Sequence, residues 1–143
     1  MEWKSMKKEF TVPHLVGKSG DSLREAFGKT LVKLSNNYQN FVVLDADIAG
    51  GTGVHHFRNS NPSRFYQCGI AEQNMMSLAG GLASTGFIPI VTTFAVFCLR
   101  AIEQARLSIA YSNKNVKIVA SHPGLDTGPD GSNDFTVTFA NAT

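Results

Sequence analysis

The chain has 143 residues, 43% hydrophobic and 17% charged, with a formal net charge of +2. That length fits one domain able to bury a core without disulfides or metals, and the composition excludes a disordered chain. The small, scattered charge argues against nucleic acid or an anionic membrane as partner, and no apolar run is long enough to span a bilayer.

Residues 1–20 are mostly polar and lack the apolar core of a signal peptide. They are expected to form a leader, with Trp3 and Phe10 able to dock on a neighbouring surface, before a domain over 21–143. Asp21 and Ser22 open the first helix, and Ser22 and Glu25 have capping-box spacing. Leu23, Phe27, Thr30, Leu31 and Leu34 give it an apolar stripe, and Asn36 and Asn37 end it. Phe41 to Leu44 reads as a buried strand, apolar on both faces, running into Asp45, Asp47 and the glycine cluster Gly50, Gly51 and Gly53. Arg64 to Gln67 is a second strand candidate. Ala71 to Ser84 reads as a helix of small and apolar residues, with Gly80 and Gly81 permitting close packing and Gly86 at its end. Phe87 to Thr93 is a third strand, Ala95 to Tyr111 a long helix, and Val116 to Ala120 a fourth strand.

Alternating strands and helices of these lengths predict an α/β fold, a parallel sheet sandwiched by helices. Ligands in such sheets sit beyond the carboxyl ends of the strands, where Asp47, Glu72, Phe94 and His122 fall. The glycine cluster lacks the lysine of a phosphate-binding P-loop, and His56 stands where a dinucleotide motif needs its third glycine. His55 and His56 are adjacent, a spacing that rarely converges on one metal, and are expected on the surface. Cys68 and Cys98 form no CxxC pair and are expected as buried reduced thiols of a cytoplasmic protein.

Glu72 lies in the first turn of its helix. A carboxylate there also simply favours the helix dipole. Phe94 and Phe97 are three apart at a strand-to-helix junction, a spacing that can point both rings one way. Paired aromatics are usually core, but beside a partly buried carboxylate they can also sandwich a flat heteroaromatic ring.

Five runs, GIAEQNM at 69–75, TTFAVF at 92–97, RAIEQARLSIAY at 100–111, NVKIVASHPGL at 115–125 and GPDG at 128–131, resemble in order and spacing the pyrimidine module of transketolases. The split kind, with this module on a separate chain or C-terminal section, is the nearest likeness. The likeness extends over about residues 21 to 131. GIAEQ alone is also similar to deoxyxylulose-phosphate synthases and to beta subunits of 2-oxo-acid dehydrogenases. The resemblance implies the thiamine diphosphate-binding fold and transfer of a two-carbon ketol unit between sugar phosphates in the pentose phosphate pathway.

The same resemblance implies the site. Glu72 would hydrogen-bond the pyrimidine ring nitrogen of thiamine diphosphate. Phe94 and Phe97 would surround that ring, with Asp47, Ile70 and Arg100 nearby. His122 and Asp130 would face the sugar. A glutamate in a dry pocket can share a proton with the ring nitrogen and so activate the exocyclic amine beside the thiazolium; a glutamine cannot.

Two departures qualify what the chain can do alone. The GDG motif that serves Mg²⁺ in the family is absent, so the ion's ligands are expected on a pyrophosphate-binding partner module, in a homodimer or hetero-oligomer. After Gly131 the family's threonine-histidine-glutamine run is missing, and Asp134 stands at the histidine. The module is therefore expected to be incomplete at its C-terminus and, with apolar surface and a sheet edge uncovered, to self-associate. A non-catalytic interaction or regulatory module stands as the alternative from a different class.

Overall fold

The computed structural model describes residues 22–123. Strand β1 (Phe41–Asp45) organises it. All five residues are buried, because helices cover both faces of the sheet and every side chain needs an apolar neighbour. Val42 and Leu44 point to one side and pack with Met75, Met76, Ala79, Val91, Ala101 and Ile109. Phe41 and Val43 point to the other and pack with Leu31, Ala49, Val54 and Phe57. The period-two alternation of a strand thus divides one apolar run between two cores.

Around β1 lie α1 (Leu23–Ser35), α2 (Ala49–Thr52), α3 (His55–Ser60), a 3-10 turn (Pro62–Arg64), β2 (Phe65–Gln67) and α4 (Glu72–Ser84). Then come β3 (Ile88–Phe94), α5 (Ala95–Arg100), the short α6 (Ile102–Gln104), a π-helix (Ala105–Tyr111) and β4 (Lys117–Ser121). The four strands run in the order β2-β1-β3-β4 and every pairing is parallel. The expected parallel sheet sandwiched by helices is the architecture found. The order reverses at β1, so the crevice beyond the carboxyl ends of β1 and β3 is the switch point where ligands bind in open sheets.

Four local expectations are corrected. The buried face of α1 is Gly28, Leu31 and Ser35, while Leu23 and Leu34 are exposed. The rotation follows from Gly28: it has no side chain, so α1 meets the turn at Gly53 along this line, and a Cβ on Gly28 would collide with the Gly53 carbonyl. Ser22 occupies the N-cap position but makes no side-chain cap bond. Glu25, its would-be capping-box partner, instead accepts from or pairs with His56 Nε2 at 2.7 Å.

The long helix expected from Ala95 to Tyr111 is broken at Ala101 and ends in π-helical turns. Ala101 is fully buried against the sheet. The wider π turns carry Ser108 over α4, where Gly80 leaves room: a Cβ there would approach the Ser108 carbonyl oxygen to 2.5 Å. Gly81 meets nothing within 4 Å, so only one of the two glycines serves close packing. The glycine cluster after β1 is helical at its start, forming α2, and turns through Gly53 at φ 81°.

Candidate functional site

Glu72 is the first residue of α4 and is 4% exposed. It lines a cavity of about 420 Å³ with Ile70, Gln73, Asn74 and Arg100. Arg100 Nη2 stands 3.6 Å from Glu72 Oε1. The same guanidinium lies 4.6 Å above the centre of the Phe97 ring. Arg100 therefore links the carboxylate to the aromatic wall. Its main-chain carbonyl accepts a bond from Gln73 Nε2 at 3.1 Å, which ties the end of α5 to the start of α4.

Phe94 closes β3 and begins the turn into α5. Its ring is parallel to Phe97, with 5.7 Å between centroids and 7° between planes. On its other side it meets His122 at 4.0 Å and 38°. Gly51 makes room for it: a Cβ there would stand 2.7 Å from the ring. The three-residue spacing thus places both benzyl groups on one wall; neither ring lines the Glu72 cavity itself, and Phe97 reaches it only through Arg100, while Phe94 meets His122 of a second cavity.

The second cavity, about 580 Å³, lies between the start of α1 and the end of β4. Arg24, Phe27, Thr52, Ser121 and His122 are among the residues that line it. Arg24 Nη1 is 3.4 Å from His122 Nε2, and Ser121 Oγ is 2.9 Å from His122 Nδ1. Most of its wall is apolar, from Leu23, Phe27, Val119, Ala120 and Pro123; the Arg24 guanidinium and the His122 imidazole are the groups there able to meet an anionic oxygen. Sequence reading missed Arg24. It carries no spacing signal, because its partner lies 98 residues away.

Asp47 is exposed just after β1, and it and His122 both have positive φ, 63° and 55°. Such backbone at non-glycine residues costs energy and gathers at functional sites. Gln67 holds this corner. Its Oε1 accepts from the Asp47 and Gly69 amides at 2.9 and 3.0 Å, and its Nε2 donates to Asp45 Oδ2 at 2.9 Å. One side chain therefore fixes both the loop bearing Asp47 and the segment leading to Glu72, a second role with no sequence signal. Ile70 is 73% exposed at the cavity mouth. Asp130 and the GPDG run lie outside the described residues, as do Trp3, Phe10 and Asp134.

Asp45 is wholly buried, and its Oδ1 has no hydrogen-bond partner among the described residues. Burial pushes its carboxyl up from the ordinary value near 3.8, against the pull of the bonds from Gln67 and Ile48. A raised folded value means stability present at low pH and lost as pH rises through that value. Asp45→Asn should remove this loss. Urea midpoints measured at about pH 4 and pH 7 should converge in the variant, and the variant should gain on the parent at the higher pH.

His55 and His56 are corrected from surface residues to half-buried ones, their rings 4.1 Å apart. Cys68 and Cys98 are unpaired but only partly buried. Burial raises both thiols, with the Asp45 charge adding to the effect at Cys68. Among the described residues no helix is long and apolar enough to cross a membrane.

The fold is a parallel α/β sheet with a buried carboxylate and a pair of stacked aromatic rings near the carboxyl ends of its strands. The family profile described as the transketolase pyrimidine-binding domain matches residues 20–139, and the chain belongs to that family. A Methanocaldococcus jannaschii protein provisionally named a transketolase C-terminal section is 46% identical over 76% of this chain and 35% of its own length. Human transketolase is 39% identical over 80% of this chain and 19% of its own. A solved split-gene transketolase, described as an inactive beta4 tetramer, has 48% identity and a TM-score of 0.67 over 74% of this chain and 36% of that one. The chain thus spans about a third of the split relatives and a fifth of the full-length enzyme.

Proposed function

We propose that this chain supplies the pyrimidine-binding half of a cytoplasmic, thiamine diphosphate-dependent transketolase that moves a two-carbon ketol unit between sugar phosphates. The observation that carries the reading is Glu72, buried at a cavity whose rim bears Arg100 over Phe97. That arrangement fits a flat heteroaromatic ring with a nitrogen able to exchange a proton. The cofactor, when bound, supplies the nucleophilic carbon that accepts the ketol unit.

The chain's own residues divide the remaining work. Glu72 holds and exchanges a proton at the ring nitrogen, its own side chain almost wholly buried at the start of α4. Phe94 and Phe97 fix the plane of the ring, while Asp47 and Ile70 stand at its edges. Arg24 and His122 receive the anionic end of the sugar substrate, with Asp130 assigned to the same substrate from the resemblance. The GDG motif that serves Mg²⁺ in the family does not occur in the sequence. The one cluster of three metal-ligating side chains among those described, Glu25, His55 and His56, lines neither cavity. Mg²⁺ and the diphosphate are therefore assigned to a separate pyrophosphate-binding module, and the chain alone is expected to be inactive and self-associated. The inactive tetramer formed by a split-gene relative agrees with that expectation.

Calorimetry of thiamine diphosphate binding, with and without that partner module, tests the reading. Binding should be weak or absent for the chain alone and saturable for the pair; no binding by the pair favours a purely structural or regulatory role. Arg24→Ala in the assembled enzyme should raise KM for the sugar phosphate by about tenfold or more, with a smaller change in kcat, since the guanidinium binds a part of the substrate remote from the reacting carbon.

A further inference from the structure

His55 and His56 open α3 and lie outside both cavities described above. The close approach of Gly28 to Gly53 seats α1 on the turn that opens α3, and His56 Cδ2 lies 3.2 Å from where a Gly28 Cβ would be. Glu25, one turn earlier on α1, is thereby brought over the two imidazoles. One donor atom from each of Glu25, His55 and His56 lies within 4.8 Å of the others. The pair lies near the surface, the Glu25 and His56 side chains 37% and 30% exposed.

We propose that Glu25, His55 and His56 form a binding site for a divalent transition ion of the zinc type, clipping α1 to α3. The donor chemistry chooses the ion: two imidazoles and one carboxylate suit zinc and its neighbours, whereas magnesium and calcium take oxygen ligands. His55 Nδ1 faces the Ala49 carbonyl oxygen at 3.4 Å. An Nδ1 proton directed there leaves the Nε2 lone pair free, the outer arrangement that commonly orients a metal-ligating histidine. Tetrahedral zinc with bonds near 2.0–2.1 Å holds its donors about 3.3 Å apart. The cluster needs only to open the 2.7 Å hydrogen-bonded pair slightly and draw in the third donor. The fourth position would hold water. Lys29 and Lys33 line the neighbouring recess with His56, so the site owes its affinity to directed lone pairs rather than to negative field, which again disfavours hard cations.

The Glu25–His56 pair needs no ion to link the two helices; His55 is what turns the link into a site. Zn²⁺ is titrated calorimetrically into the metal-free full chain, with Mg²⁺ as the comparison, and Co²⁺ substitution reports coordination through its visible absorption. One equivalent of Zn²⁺ should bind, with intense low-symmetry Co²⁺ bands and no response to Mg²⁺. His55→Gln, which leaves the Glu25–His56 pair in place, should weaken Zn²⁺ at least tenfold while keeping the thermal midpoint of the metal-free chain. The double variant His55→Gln/His56→Gln controls for Cys68, Cys98, His14 and His122. Failure of Zn²⁺ to saturate, or binding unchanged in the double variant, overturns the site. None of these readouts depends on ketol transfer, so the site and the proposed activity stand or fall separately.

Discussion

Glu72→Gln should abolish turnover by the assembled enzyme, with kcat falling by about a thousandfold or more, while the fold and cofactor binding persist. The substitution keeps the shape of the side chain and its hydrogen-bonding reach. It removes the one property the proposed role requires, a proton that can leave and return. Little stability is at stake, because the opposing Arg100 side chain is 53% exposed and its 3.6 Å contact with Glu72 is long. Pairs open to water on one side contribute roughly 0–1 kcal/mol. Steady-state kinetics beside a thiamine diphosphate titration separates the two quantities: kcat should collapse while the dissociation constant moves by less than about tenfold. An active Glu72→Gln enzyme would falsify the role.

The largest stability effect is expected at Gly53, which has φ 81° and whose added Cβ would run into the main-chain carbonyl of Arg24. The obstruction is backbone, not the yielding tip of a side chain, so α1 must shift. Left-handed strain and overpacking together should cost about 3 kcal/mol or more in Gly53→Ala. The shifted start of α1 also carries Arg24, so the recess beside His122 should loosen with it. Gly50 supplies the internal control. It lies in α2 with nothing within 4 Å of its added Cβ, and Gly50→Ala should stabilise the chain by about 0.5–1 kcal/mol. Urea unfolding of the two variants should therefore move in opposite directions. Equal midpoints would mean that α1 does not rest on this turn.

The contrast between these glycines shows what sequence could and could not convey. Three glycines in four positions signal a turn, but which of them bears another helix depends on a contact with α1. In the same way β1 was readable because Phe41 to Leu44, buried on both faces, form an unbroken apolar string. α4 was readable because its small and apolar residues fill a helix of ordinary length. The break at Ala101 was not, since Ala95 to Tyr111 keeps an adequate helical pattern and only packing against Gly80 and the sheet decides where it widens. Ser22 and Glu25 had the right spacing for a capping box. They lost it to a tertiary partner, His56, that no local rule could supply. Of the candidate site, Glu72, Phe94 and Phe97 were legible through motif resemblance and strand-end position. Arg24 and Gln67 were not, because each acts through residues distant in sequence or through main-chain amides. Positive φ at Asp47 and His122 likewise appears only once the strands have ended against one another.

A crystal structure of this chain assembled with a pyrophosphate-binding module and thiamine diphosphate would test the assignment of Glu72 most directly. A Glu72 carboxyl oxygen should lie about 2.6–3.0 Å from the pyrimidine ring nitrogen, with the ring against the Phe94–Phe97 wall and Arg100 moved off the carboxylate. A bound cofactor whose ring lies elsewhere, with Arg100 still resting on Glu72, would contradict it.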